Sequence, residues 1–204
     1  LYPDWEIEDI DLPLAVADEA MECAKQAGYE WWKTRGTPDI LQMQYEYIDA
    51  LHFYLSIVLK RVGVSGALGM LNSGNVTLLP YGGAAMGMDN VEINNEAIIH
   101  AARNVARYAL MIEADVWDAA DHQINDLGTK MRALAYAVGL TEETAPSMYF
   151  AKNVLNAFRK ANGYKDGSYI KVWTHNLPDP MEDNEFLASA VTNYVVVEEG
   201  GPFQ

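Results

Sequence analysis

The chain has 204 residues, 50% of them hydrophobic and 21% charged, which is enough for one domain with a substantial core. Its formal net charge of -15 argues against sequence-independent binding of DNA or RNA, because such binding relies on many Lys and Arg contacts with phosphates. Apolar runs fall short of the ~18 residues that span a bilayer, so we expect no membrane partner. The single cysteine, Cys23, excludes an internal disulfide. No signal peptide is visible, although the sequence begins at Leu1 without a methionine.

The predicted elements are nearly all helices. Apolar residues at helical spacing predict helices over the approximate ranges 14–28, 40–62, 96–122, 123–138 and 141–163. The last of these opens on "TEET", which resembles a capping box, and ends at Gly163. Residues 1–13 are expected to be irregular, and residues 63–92 to form a long Gly-rich loop. Residues 172–204 are expected to form a tail, extended near "NYVVVEE", that packs on the domain or on a partner subunit. We predict a single all-α domain over residues 1–204.

Two pairs of acidic residues stand out by their spacing. Glu19 and Glu22 lie three apart on the first predicted helix, and Glu46 and Asp49 lie three apart on the second. Residues at this spacing share a helix face, and no Lys lies between the members of either pair. Two such pairs facing one another would form an all-oxygen site of the kind that Mg²⁺ prefers. The alternative is an ordinary solvated face, but Phe53, four residues beyond Asp49, suits a ligand pocket better than a face washed by water.

The stretch "FAKNVLNAFRKANGYKDGSYIK" is basic within an acidic chain. On a helix, Lys152, Asn156 and Arg159 fall on one narrow face, where cations and an amide can bind phosphates. Beyond Gly163, the turn at Asp166-Gly167 directs Lys165 and Lys171 towards the same end. The alternative for this segment alone is a solvated basic face.

Together these segments resemble the dimeric dUTPases, which belong to the all-α nucleoside triphosphate pyrophosphatases. The resemblance is carried by "E-x-x-E" at 19–22, "WWK" at 31–33, "E-x-x-D" at 46–49 followed by "ALHF", and "AKNVLNAFRKANGYKDGSYIK". It covers residues 14–62 and 145–175 well, whereas the middle of the chain is similar only in being helical.

The resemblance implies an enzyme that hydrolyses dUTP to dUMP and pyrophosphate with two or three Mg²⁺ ions per site. It implies that the ions, bridging the triphosphate, are held by Glu19, Glu22, Glu46 and Asp49. It also implies a set of substrate-binding residues on the two motifs. These are Trp32, Lys33, His52 and Phe53, with Lys152, Asn156, Arg159, Tyr164, Lys165, Asp166, Tyr169 and Lys171.

Several of these residues admit another interpretation. Trp31 and Trp32 could be core residues, His52 could be a histidine satisfied within its helix, and Tyr164 could pack behind the helix end. The family also reads uracil with a Gln and an Asn on a helix before the first acidic pair. Here Gln26 is the first Gln or Asn in the chain, so either that helix precedes Leu1 or base selection differs.

The resemblance also implies a homodimer in the cytoplasm, or in the host cytoplasm if the chain is encoded by a phage. The abundance of Tyr, Trp and Met (12, 5 and 9) independently favours an interface. Two alternative functions remain open at this point. One is a pyrophosphatase for dCTP or a modified deoxynucleotide, and the other is a nucleotide-sensing regulator, which a degraded set of acids would favour.

Overall fold

The computed structural model describes residues 10–34, 37–72, 94–112, 121–142, 144–174, 179–187 and 189–190. Within them the chain forms five long helices, which confirms the all-α prediction. The helices are α1 (Leu12–Gln26), α2 (Ile40–Asn72), α3 (Asn95–Ala109), α4 (Asp121–Ala137) and α5 (Thr144–Ala161). Two short antiparallel strands follow, β1 (Val172–Trp173) and β2 (Met181–Glu182).

The described residues fall into two compact units, divided just after the start of α5. The first unit comprises the described residues between 4 and 145, and the second comprises those from 146 onward. The single domain remains a prediction about the chain as a whole.

Helix α1 forms where the sequence predicts it. The Asp11 side chain accepts a hydrogen bond from the backbone N–H of Leu14 at 2.9 Å, and Pro13 lies in the first turn, where its missing N–H is of no consequence. The predicted apolar stripe is buried, with Val16, Ala20 and Cys23 fully inaccessible to solvent. This stripe packs α1 against α2 and α3.

Helix α2 is the central helix of the first unit, since it packs against both α1 and α4. More than one of its faces is therefore buried: Ile48 lies on the predicted stripe, and Tyr47 and Tyr54 lie off it. The Tyr54 hydroxyl donates to the carbonyl of Ile124 on α4 at 3.2 Å. By length and a mean hydropathy of 1.2, the stretch Ile40–Gly69 could also cross a membrane, but one such helix is weak evidence because core helices of soluble proteins pass the same test.

Helix α2 is broken at its predicted end, Val62, and what the prediction missed is the helical backbone beyond that point. The helix kinks at Gly63, where φ is 67° and ψ 175°, and helical backbone resumes and continues to Asn72. The first part of the predicted Gly-rich loop is therefore helical, and the rest of it, residues 73–92, lies outside the described residues. A residue with a side chain would be strained at this φ, so Gly63 is what permits the kink.

The third predicted helix ends earlier than expected. Helix α3 stops at Ala109 and is followed by a turn over 110–112, whereas the prediction extended it to His122.

Helix α5 matches its prediction and begins with the expected cap. Thr141 and Thr144 bond reciprocally, each hydroxyl accepting from the other's backbone N–H at 3.2 and 3.1 Å. The predicted strand near "NYVVVEE" and the irregular residues 1–9 lie outside the described residues.

A candidate acidic metal centre and a buried cationic cluster

Three of the four predicted acids meet at the contact between α1 and α2. Glu19 on α1 and Glu46 and Asp49 on α2 each place one carboxylate oxygen within 4.8 Å of the others, and all three are partly buried. The two helices are tied together one turn away, where the Cys23 thiol donates to the carbonyl of Met43 at 3.3 Å. Burial, followed by the nearby Glu46 and Glu19 carboxylates, raises the pKa of Cys23 well above its usual value, so this thiol stays protonated.

The fourth acid, Glu22, has a different environment. Although no Lys lies between Glu19 and Glu22, Lys25 stands three residues beyond and forms an ion pair with the Glu22 carboxylate. On the facing helix, the side-chain amide of Gln42 donates to Glu46, one turn away. Glu22 is thus outside the three-carboxylate cluster in this structure, and Glu46 is oriented from its own helix.

The donor set of this cluster fits a divalent cation. Carboxylate oxygens are the preferred ligands of Mg²⁺, and a cation would offset the repulsion among three of them that converge within 4.8 Å. Partial burial strengthens that repulsion relative to a fully solvated face and leaves room for water and substrate ligands. The residues present are therefore suited to hold a metal ion.

The residues of the "WWK" link are exposed. Trp31 and Trp32 expose 78% and 56% of their surfaces, so neither is a core residue and that alternative is wrong. Tyr29, Trp31 and Trp32 meet edge to face, with centroid distances of 5.8 and 5.7 Å. Lys33 forms an ion pair with Glu30 at 2.8 Å and lines a cavity of about 360 Å³ beside it.

The two residues that follow the second acidic pair are partly buried. His52 Nδ1 lies 2.8 Å from the carbonyl of Ile48, so one ring nitrogen is bonded within the helix. Phe53 is likewise partly buried, on the same helix one turn beyond Asp49. Both positions are compatible with the predicted pocket beside the acids, and His52 also meets the alternative of a helix-bonded histidine.

The basic stretch on α5 is not a solvated face. Lys152 exposes 2% of its surface and Arg159 exposes 8%, although the alternative interpretation placed both in water. Asn156, between them in the sequence, is partly buried. Lysine and arginine are almost never this buried without partners that hold their charge.

The turn after α5 is held by its own side chains. Asp166 Oδ1 accepts hydrogen bonds from the backbone N–H and the hydroxyl of Ser168 at 3.0 and 2.6 Å, which lower the pKa of Asp166. Gly163 has φ of 88°, and a Cβ there would lie 2.0 Å from the Ser168 hydroxyl. The role of Asp166 in the structure is therefore to close the turn. Lys165 is exposed.

The remaining residues of this motif surround one aromatic ring. The Arg159 guanidinium carbon lies 5.7 Å from the centroid of Tyr164, and the Lys171 ammonium lies 5.6 Å from it. The Tyr169 ring also contacts Tyr164, with centroids 6.0 Å apart. The Tyr164 ring therefore contacts two cations. It also remains open to solvent, since 46% of its surface is exposed.

Sequence reasoning missed the partners of Arg159. Asp183 forms a two-point ion pair with its guanidinium, and Asn184 contacts both Arg159 and Lys152. The resemblance ends near residue 175, and a lone "EDN" in a polar tail carries no periodic signal. The available signal was the presence of an acidic residue, Asp183, in the segment that follows the basic stretch.

An all-α fold that brings carboxylates from two packed helices within 4.8 Å of one another belongs to the class of helical proteins whose donor set suits a divalent cation. The model of the dUTPase family matches residues 4–164, which is most of the chain. The chain therefore belongs to the dimeric, all-α dUTPase family and is a dUTP diphosphatase, as the resemblance implied. Members of the family generally use a divalent metal. No curated protein matches the chain.

Proposed function

We propose that the protein hydrolyses dUTP to dUMP and pyrophosphate in a reaction that requires Mg²⁺. The observation that carries this proposal is the convergence of Glu19, Glu46 and Asp49 within 4.8 Å at the contact of two helices. A family match supplies the class of substrate, and the oxygen-only donor set favours Mg²⁺ over softer metals.

In this proposal the acids hold the metal and orient water. Glu46 and Asp49 on α2 and Glu19 on α1 would hold the ion, and Glu22, which pairs with Lys25 in the structure, would be the fourth ligand. When bound, Mg²⁺ supplies charge neutralisation for the phosphate oxygens and lowers the pKa of a coordinated water. Glu19 or Glu22, on the helix opposite Asp49, accepts a hydrogen bond from the attacking water and sets its direction. Phosphoryl transfer needs little more from a protein than such positioning and charge.

The basic stretch is assigned to the phosphates and the sugar. Lys152, Asn156 and Arg159 on α5, with Lys165 and Lys171 beyond it, bind phosphate oxygens, and Lys33 binds one more. Tyr164 and Tyr169 border these residues, and Asp166 supports them by closing the turn that carries Lys165. The contact of Lys152 and Arg159 with the same Asn184 oxygen supports this assignment, because it keeps the two cations close enough to act on one phosphate group.

The nucleoside is assigned to the aromatic residues near the acids. Trp32 is exposed enough to contact a base or a sugar, and Phe53 would exclude a ribose 2′-hydroxyl while His52 borders the same pocket. Uracil is the proposed base, with cytosine or a modified base as the alternative, because residues 1–18 contain neither the Gln nor the Asn with which the family reads uracil. The regulator alternative is weaker, since all four acids are present.

We also propose that the protein is a cytoplasmic homodimer. Exposed apolar side chains on α5 support an interface: Phe150 and Val154, four residues apart on one face, expose 71% and 52% of their surfaces.

The test is a panel of deoxynucleoside triphosphates with Mg²⁺ or with EDTA, analysed for the monophosphate and pyrophosphate. We expect dUTP to be hydrolysed only with Mg²⁺, and UTP to be a poor substrate. Running the reaction in ¹⁸O-labelled water then shows which phosphorus is attacked, because attack at the α-phosphorus labels dUMP and attack at the β-phosphorus labels pyrophosphate. Equal turnover with EDTA, or preference for dCTP, would contradict the metal or the base assignment respectively.

A further inference from the structure

A buried carboxylate lies beyond the part of the chain that the family model matches. Asp183 exposes 1% of its surface, whereas the family match ends at residue 164. Arg159 donates to it twice, from Nε to Oδ2 at 2.8 Å and from Nη2 to Oδ1 at 2.7 Å. The Tyr169 hydroxyl donates to the same Oδ2 at 2.8 Å. The carboxylate is therefore held by a planar two-point contact and a third donor.

Asp183 is itself fixed by the two short strands. β1 pairs with β2, with Trp173 opposite Met181, and the backbone N–H of Asp183 donates to the carbonyl of Lys171 at 2.9 Å. The Trp173 indole N–H donates to the Tyr169 hydroxyl at 3.2 Å, which orients that hydroxyl towards Asp183. The position of the carboxylate is thus set by backbone pairing and does not depend on a flexible side chain alone.

Both members of the ion pair are charged at neutral pH. Burial raises the pKa of Asp183, but the hydrogen bonds from Arg159 and Tyr169 outweigh burial and place it below the usual value. Burial likewise lowers the pKa of Arg159, and the bonds to Asp183 more than restore it. A guanidinium with a fixed plane remains a cation and loses little further freedom when it binds an anion.

The contacts leave one end of the guanidinium for another partner. Within the described residues, the acceptor contacts of Arg159 use Nε and Nη2, and Nη2 also lies 3.3 Å from Asn184 Oδ1. The same Asn184 oxygen accepts from the Lys152 ammonium at 3.4 Å. Residues 183 and 184 therefore fix the relative positions of the two buried cations of α5.

We propose that Asp183 is a positioning residue for phosphate binding: it holds the Arg159 guanidinium side-on, so that the Nη1 end is directed at a phosphate oxygen, while Asn184 aligns Lys152 beside it. This inference rests on the proposed function of Arg159. It extends the site to Asp183 and Asn184, beyond the family match. The opposite interpretation is that Asp183 occupies the place of a phosphate and competes with it, and the two interpretations predict opposite changes in affinity.

The experiment measures binding of inorganic pyrophosphate, dUTP and deoxyuridine by titration calorimetry, with Ca²⁺ in place of Mg²⁺ to suppress turnover, together with KM and kcat in Mg²⁺. The variants are Asp183→Asn, Asn184→Ala, Arg159→Ala and the double variant Arg159→Ala/Asp183→Asn. Glu182→Gln is the matched control, because it removes one acidic charge from an exposed neighbour in the same segment.

We expect Asp183→Asn to weaken pyrophosphate and dUTP binding about tenfold or more, with KM rising more than kcat falls, since a charge-assisted contact is then misdirected. Deoxyuridine affinity should stay within about twofold, and Glu182→Gln should match wild type throughout. In the double variant the affinity should equal that of Arg159→Ala alone, because Asp183 acts through Arg159.

Asn184→Ala keeps both cations and the Arg159–Asp183 ion pair, and it should weaken pyrophosphate binding severalfold. If Asp183→Asn does not fold, the pyrophosphate affinity of Asn184→Ala is the test, and an unchanged affinity overturns the inference. Unchanged or tighter pyrophosphate binding in a folded Asp183→Asn overturns the inference, as does equal loss for deoxyuridine. Failure of the proposed function is a separate result: wild-type protein that binds pyrophosphate but leaves dUTP intact.

Discussion

Replacing Asp49 by Asn removes one charge from the three-carboxylate cluster and keeps the side chain's shape. At the 4.8 Å limit of the cluster, two unit charges repel by about 3.5 kcal/mol at an effective dielectric of about 20. Asp49 takes part in two such pairs with Glu19 and Glu46, so the gross repulsion it contributes is about 7 kcal/mol. Because all three side chains are partly exposed, solvent and hydrogen bonding cancel most of that figure. We expect a net gain of about 1 kcal/mol on substitution, and a rise in melting temperature of about 2–4 °C without divalent ions.

The same substitution should abolish turnover, since a metal ligand is lost. The assay compares melting curves in EDTA and in excess Mg²⁺, together with dUTP hydrolysis. Wild type should gain about 2.7 kcal/mol at a Mg²⁺ concentration one hundred times the dissociation constant, whereas Asp49→Asn should gain little. Asp18→Asn is the control, because Asp18 is an exposed acid beside Glu19 on α1 that lies outside the cluster.

Two results would refute the reasoning. Normal turnover of Asp49→Asn at saturating Mg²⁺ would reject the residue as a ligand. A lower melting temperature of the variant in EDTA would show that the three carboxylates do not repel one another in the metal-free protein.

Three further predictions concern the fold, the ion pair and assembly. Gly63→Ala should destabilise the protein by about 1 kcal/mol, because residue 63 has a positive φ. Gly69→Ala should stabilise it by about 0.5–1 kcal/mol, because Gly69 lies in helical backbone with open space for a Cβ. Chemical denaturation measures both free energies of unfolding, and equal effects would contradict the kink at Gly63. The pKa of Asp183 is lowered on folding, so its contribution to stability is complete above the ordinary value of about 3.9 and is lost as the pH falls through the lower folded value. The stability advantage of wild type over Asp183→Asn should therefore shrink as the pH falls below the ordinary carboxyl value, and a difference that stays constant on acidification would count against an ionised Asp183. Analytical ultracentrifugation at micromolar concentration should give a species of twice the 22.7 kDa chain mass, and an active monomer would exclude the dimer.

The features that the sequence predicted correctly are local ones. Helix α1 and helix α5 match their predicted ranges because each has a cap, a 3.6-residue apolar period and a glycine beyond its end, all encoded within about 20 residues. The acidic site is not local in this sense: the resemblance implied that four acids share it, and the structure brings Glu19, Glu46 and Asp49 within 4.8 Å but leaves Glu22 outside.

The features that were missed depend on contacts between distant residues. Nothing local to Arg159 identifies its partner, because Asp183 lies 24 positions away and is brought in by two strands of two residues each, too short to show alternation. The continuation of α2 beyond Gly63 was missed because glycine-rich sequence lacks a periodic signal, although glycine tolerates helical backbone wherever packing favours it.

The two charged clusters explain why net charge alone is a poor guide to a binding site. At Glu19, Glu46 and Asp49 like charges converge where two helices meet, an arrangement that suits a bound cation. At Arg159 the cation is paired with Asp183 within the same unit, so its charge is already compensated and what the pair provides is direction. A sequence count treats Arg159 as a free positive charge and Asp183 as one more acid in a chain of net charge -15. The structure instead makes them one rigid group, and a rigid donor at a fixed angle can discriminate a phosphate oxygen from other anions more sharply than a mobile lysine on the surface can.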